Sequence, residues 1–401
     1  MAEVHIAGYQ QVYRALCNPY LKQSLYDAGA VIMADTLLTL HGEPHRRRRH
    51  LALRVFQRNF ARHYERQVFP RTLARTLDQF RGNDPLDLVA FGHSVTMNLT
   101  ADFAGIDRSG DAGETERLLR LVRKFGEGAT MVHSTRDPAE LTAEVLAALA
   151  EYERDFLRPS IARREKLLDA FAAGALEASG LPRDMLTVLL RNEDRLELMP
   201  DLLSREIAFY LQAGSHSTAN AMVHAVQELL SWCADDPGRR RALEADQVFL
   251  QRAVHEALRL HPASPVAWRR ATEALTLPDG QALVPEDLLV LDLAAANRDP
   301  SVFGEDSDRF NPYREISVRR AAPFGLTFGL GVHNCLGRDL DAGLVAAPAA
   351  DPQTHQYGIV AALVRVVIAD LGARTDVAHP PESDTQTQRG NWRRFPVRVR
   401  W

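Results

Sequence analysis

Residues 323–337, P-F-G-L-T-F-G-L-G-V-H-N-C-L-G, bring a cysteine, a histidine and two phenylalanines into one glycine-rich stretch. Glycines at 329, 331 and 337 allow positive φ and a close approach of the backbone to a bound group. A short helical run is expected over 338–347. A cysteine at the mouth of such a helix has its thiolate favoured by backbone N–H groups and the helix dipole. Such a thiolate is a nucleophile or a metal ligand. The plainer reading is a turn-rich loop with a buried Cys335. A dinucleotide loop is disfavoured, because no acidic residue follows a strand at the spacing that fold needs.

A second chemical grouping is His45 and Arg49, spaced i, i+4 within H-G-E-P-H-R-R-R-R-H and therefore on one helix face. Imidazole and guanidinium together suit carboxylates. A third is Ala213-Gly214-Ser215-His216-Ser217-Thr218, a glycine followed by hydroxyl residues, where a helix can open as side-chain oxygens bond back to carbonyls. The fourth is Glu256-Ala-Leu-Arg259-Leu-His-Pro262, an i, i+3 ion pair near a helix end. Alone it reads as a surface pair of little energetic value.

Phe328-x-x-Gly331-x-His333-x-Cys335-x-Gly337 matches, position for position, the haem-ligand signature of the cytochromes P450, and the chain resembles a soluble bacterial-type member of that family. The resemblance implies that Cys335 is the proximal thiolate ligand of a b-type haem iron. His333 would contact a haem propionate, with Phe328 packed near the thiolate. His45 and Arg49 fall on the family's H-x-x-x-R, which grips a propionate. Arg269 matches the strand arginine for the other propionate, with Arg270 a near-equal alternative. Glu256 and Arg259 fall on the family's E-x-x-R, which joins a later arginine, expected here to be Arg309, in a buried network locking the cysteine loop. Arg46, Arg47, Arg48 and Arg54 would lie partly on the proximal surface, where an acidic electron donor docks. For the lone arginine run, nucleic acid, anionic membrane and a solvated helix face are the other readings.

The chain departs from the family in three places. His216 stands at the usual acid position over the haem and Ser217 at the alcohol position. His216 can still shuttle protons, since an imidazole titrates near neutral pH; the other reading is a core histidine bonded to a carbonyl. An extra helix and strand that the family normally has before the irregular stretch 20–40 are expected to be missing. The family's uninterrupted helix after the cysteine is expected to be broken at Pro348 and Pro352, with a loop over 351–357 before helix resumes over 359–371.

The supporting elements are a strand at 4–6, a helix at 9–17, helices from 51 to about 173, and a long helix over 201–232. A helix follows at 248–262, then short strands at 274–277 and 288–291, and a terminal strand. The expected fold is mainly α with a small β-rich lobe, the P450 fold, as a single haem domain over 1–401. The chain is 46% hydrophobic and 25% charged, as an ordinary globule is. A net charge of −4 argues against general nucleic-acid binding. Cys17, Cys233 and Cys335 have no disulfide or zinc spacing. No secretory leader or membrane segment is read, so the expected place is the cytoplasm.

The implied function is a haem-thiolate monooxygenase inserting one oxygen atom from dioxygen into a small apolar organic molecule. Its electrons would come from NAD(P)H through a ferredoxin-type or flavodoxin-type partner. His216, Ser217, Gly214 and Thr218 form the expected catalytic set. The alternatives are a peroxide-driven peroxygenase and a non-catalytic haem or ligand-binding relative.

Overall fold

A computed structural model describes residues 2–192, 200–316, 318, 321–347 and 351–401. Pro348 lies outside the described residues. Helices dominate and small sheets flank them. One four-stranded sheet is built from distant parts of the chain. Glu3–Ile6 pairs in parallel with Leu288–Asp292, which pairs antiparallel with Val266–Ala271, and that strand pairs with Leu21–Gln23. Alternation along Glu3–Ile6 turns Val4 and Ile6 inward. They join Tyr9, Val12, Leu289, Leu291 and Phe303 in an apolar core distinct from that of the helical body.

The helix over Pro200–Trp232 has 33 residues and crosses the helical body. It packs most extensively against Leu88–Ala104, a helix apolar enough to be buried nearly all round. Local chemistry sets the boundaries of the helices around it. The Asp87 carboxylate accepts from Val89 N at 3.1 Å and opens Leu88–Ala104, and Gly105 closes it with φ +90°. Asp246 accepts from Val248 N and Phe249 N at 2.9 and 3.0 Å, opening Gln247–Leu260.

The helix predicted over 338–347 is a single turn, Arg338–Asp341. Gly343 then takes φ +72°, and the chain resumes helix at Ile359–Arg365 after Gly358 with φ +84°. These two glycines cross. A Cβ on Gly343 would sit 2.4 Å from the Tyr357 carbonyl carbon, and one on Gly358 would sit 2.3 Å from Gly343 N. Glu65 accepts from Tyr357 N and Gly358 N at 2.9 and 3.0 Å, and Leu344 N donates to Gln356 O at 3.0 Å. Gln251 Nε2 reaches the carbonyls of Ala342 and Tyr357 at 3.1 and 2.9 Å. The predicted loop over 351–357 hangs from this crossing. The predicted resumption at Ile359 matches the helix observed.

Candidate active site

Three of the four chemical groupings read from the sequence, those at Cys335, at His45 and Arg49, and at 213–218, line one cavity of about 340 Å³ between the long helix and the cysteine loop. Cys335 N donates to Phe328 O at 2.8 Å, which closes the loop on itself. Gly331, at φ +69°, lets the loop lie against the end of the helix Tyr9–Cys17, where a Cβ would stand 2.5 Å from Leu16 O. Gly329 also has positive φ, whereas Gly337 has φ −81° and needs no glycine freedom. Phe324 and Phe328 meet edge to face at 5.1 Å beneath the loop.

Cys335 opens to the cavity but is enclosed by protein otherwise. Burial pushes its thiol up to about 12, the Asp341 carboxylate adds to the rise, and the Gly337 N–H opposes it. The expected lowering by backbone N–H groups is present at Gly337 but is outweighed by burial. Arg49 and Arg338 also favour the thiolate without offsetting burial, and a bound cation would stabilise it further.

At the cavity floor stand Arg49, Arg269, His45 and His333. Arg49 Nη2 holds Asn334 O and Oδ1 at 2.8 and 2.6 Å. His45 and His333 have ring centroids 4.3 Å apart. Burial lowers His45 to about 4 and His333 to about 3, with Arg49 and Arg269 adding to the latter. His333 Nε2 is buried without a hydrogen-bond partner. Strand alternation separates the two arginine candidates. Arg269 points inward beside Gln23 and lines the cavity, while Arg270 turns to the Asp27 carboxylate and Glu286 O. Asp341 is the sole carboxylate among the lining residues, and it accepts a bond from Thr218 Oγ1 at 2.9 Å. Burial lifts its pKa to about 7. Four cationic or imidazole side chains, an orphaned buried Nε2 and a sulfur around an apolar hollow fit a haem with two carboxylates.

The roof differs from the expectation. The long helix runs unbroken through residues 213–218, so the predicted opening is absent. Ser217 Oγ turns back to Ala213 O at 2.7 Å. A Cβ on Gly214 would lie 2.5 Å from Thr100 Cγ2, so this glycine admits the neighbouring helix. His216 does not titrate near neutrality. Burial first, then Arg389 and Arg123, lower it to about 3, so it is a neutral imidazole near Asn220 Nδ2 at 3.4 Å.

The buried network also needs correction. Glu256 and Arg259 pair at 2.7 and 2.8 Å as expected, but the third member is Arg314, whose Nε meets Glu256 Oε1 at 2.9 Å. Arg309 offers only its backbone carbonyl, with its side chain exposed. Arg48, expected near the surface, is buried against Asp35 O at 2.6 Å and Glu206 at 3.3 Å. Arg46 and Arg47 stay exposed beside Glu43. The sequence reading passed over Arg314, Asp341 and Arg389. Asp341 carries a legible signal, an acid between Leu340 and Ala342 in an apolar turn.

A family model described as Cytochrome P450 matches residues 241–341, the span from before Glu256 to past Cys335. Cytochrome P450 107B1 of Saccharopolyspora erythraea is 27% identical over 84% of this chain and 77% of its own length. Over these spans the chain is similar to the cytochromes P450. The fold agrees: the crystal structure of P450BioI in complex with a hexadec-9Z-enoic acid ligated acyl carrier protein has a TM-score of 0.74 at 19% identity, covering 99% of this chain and 91% of that one. The self-sufficient cytochrome P450 monooxygenase CYP505E3 of Phanerodontia chrysosporium is 27% identical over half of this chain, a match spanning 20% of the relative's length. Among the described residues, no helix is long and apolar enough to cross a membrane.

Proposed function

We propose that residues 1–401 form a single haem domain, a monooxygenase that inserts one oxygen atom from dioxygen into a small apolar organic molecule. The observation that carries this is the convergence of Cys335, Arg49, Arg269, His45 and His333 on one apolar cavity. Cys335 would ligate the iron, and the four side chains would hold the propionates, with Phe328 and Gly337 against the sulfur side. Bound there, the haem would supply oxygen activation, with a thiolate ligand favouring O–O cleavage. The chain's own task is to bind and orient substrate, exclude water and move protons. The Thr218 hydroxyl and the Asp341 carboxyl, which exchanges its proton around neutral pH, stand together on one wall. Neutral His216 can pass a proton between its two ring nitrogens, though it cannot store one as imidazolium. Glu256, Arg259 and Arg314 would hold the cysteine loop in place. Electrons would come from NAD(P)H through a ferredoxin-type or flavodoxin-type donor docking near Arg46, Arg47 and Arg54.

The ferrous–CO absorption spectrum beside Cys335→Ser tests this reading. A Soret band at the thiolate position, lost in the variant, supports it, and a histidine-type band in both proteins defeats it. A peroxide-driven reaction is the second reading, favoured by Ser217 bonding back to Ala213 O and by the neutral His216. Turnover with hydrogen peroxide and no electron donor separates the two. Haem binding without turnover under either oxidant would leave a non-catalytic relative.

A further inference from the structure

The roof of the cavity carries a cation that the haem reading does not use. Arg389 lies in the loop between the strands Glu382–Ser383 and Trp392–Arg394 and lines the cavity. Its Nε is buried with no hydrogen-bond partner, and among the described residues no carboxylate forms an ion pair with it. Burial lowers its pKa, and the facing group that opposes this is Tyr26, a phenol. A guanidinium enclosed without an anion is costly to keep.

The loop does not hold Arg389 there by accident of slack chain. Thr387 pairs with Ser134 as a β-bridge. Gln388 N donates to His133 O at 2.7 Å, and Thr135 binds Gln386 O and Thr385 O at 3.2 and 3.0 Å. Arg389 N donates to Thr387 Oγ1 at 3.2 Å. The tip is thus fastened to the turn Met131–His133, and the guanidinium is positioned in advance of any ligand.

Its electrostatic neighbours overlap only in part with those of the propionate donors. Arg389 depresses His133 and His216, whereas Arg49 and Arg269 depress His333, and the Tyr26 phenol opposes burial at both Arg389 and Arg269. The cavity between is walled by apolar side chains, among them Leu25, Leu99, Phe103, Phe209 and Val266.

We propose that the substrate of this cavity is an organic acid, an apolar skeleton carrying one carboxylate, and that Arg389 anchors that carboxylate at the roof. The planar guanidinium matches a carboxylate through paired N–H donors, and enclosure strengthens the bond. The inference rests on the reading of this cavity as the monooxygenase substrate site. A haem propionate is the competing source of the same carboxylate, and the experiment distinguishes them.

Holoprotein is titrated calorimetrically with straight-chain fatty acids of graded length and with arylpropionic acids, each beside its primary amide, in wild type, Arg389→Gln and Arg389→Lys. Haem content, melting temperature and the ferrous–CO spectrum are recorded on the same samples. At least one acid should bind roughly tenfold or more tighter than its amide, as a charge-assisted bond requires. Arg389→Gln should abolish that preference, and Arg389→Lys should restore part of it, with haem content unchanged. Equal affinity of acids and amides, binding by no acid, or a preference that survives in Arg389→Gln overturns the proposal. Loss of haem in Arg389→Gln assigns the arginine to a propionate and overturns it too. Failure of the haem-thiolate reading would show separately, as a wild-type CO band away from the thiolate position.

Discussion

Arg259 and Arg389 are two of the arginines that the fold encloses, and they differ in company. Arg259 is wholly buried, and its donors go to Glu256, Asn297 O and Ser307 O at 2.6 to 2.8 Å. Arg389, across the cavity, ends in a sealed Nε with no partner. A buried charge whose every donor is met holds the chain together. One left unmet costs stability until something arrives to meet it. Burial alone therefore does not separate scaffold from recognition, and the count of partners does.

The largest effect should come from breaking the satisfied side. Glu256→Ala leaves Arg259 and Arg314 facing each other without their shared carboxylate, and should cost about 3–5 kcal/mol in urea unfolding. A proton probes the same region next. His255, one residue before Glu256, bonds Ala342 O at 2.8 Å, and burial lowers it to about 4. The unfolded chain binds a proton near pH 6.5 that the folded chain refuses until about 4. Stability is therefore present above the unfolded value and falls as pH drops through that window, by roughly 3 kcal/mol for this group. A flatter acid limb in His255→Gln, read from urea midpoints, checks it.

Arg314→Ala removes one of two cations on Glu256 and should cost about 2 kcal/mol, less than losing the carboxylate. The unsatisfied side should respond in the opposite sense. Arg389→Leu should unfold at the same urea concentration as wild type, or up to about 1 kcal/mol later. A clear loss would mean that Arg389 is scaffold after all. Smallest is Arg309→Ala, whose carbonyl remains, with a change within about 0.5 kcal/mol.

The same contrast explains what could be read from the chain. Cys335, His333, Arg49 and the Glu256–Arg259 pair sit at fixed local spacings, so a string of letters carries them. Arg269 needed only strand alternation to separate it from Arg270. Arg314 and Arg309 share one irregular loop, and no spacing rule says which folds back onto Glu256. Arg48 is one of four consecutive arginines, and its burial depends on Glu206, far along the chain. His216 looked like a proton carrier because its type is, but enclosure and two nearby guanidiniums decide its charge. Arg389 reaches the cavity through a loop tied to Ser134 and His133, a tertiary arrangement without a periodic signal.

The crossing at Gly343 and Gly358 bears on how the chain tolerates change in length. Its neck is closed by Leu344 N on Gln356 O and by Glu65, so the ends of the intervening segment are held regardless of what lies between them. The entropy of closing such a loop grows only slowly with its length, each doubling costing about 0.6 kcal/mol. Residues could thus be added or removed beyond the neck, for an epitope or a tether, while the register of the cysteine loop stays fixed. Neither glycine of the crossing has that freedom, because any side chain there meets backbone.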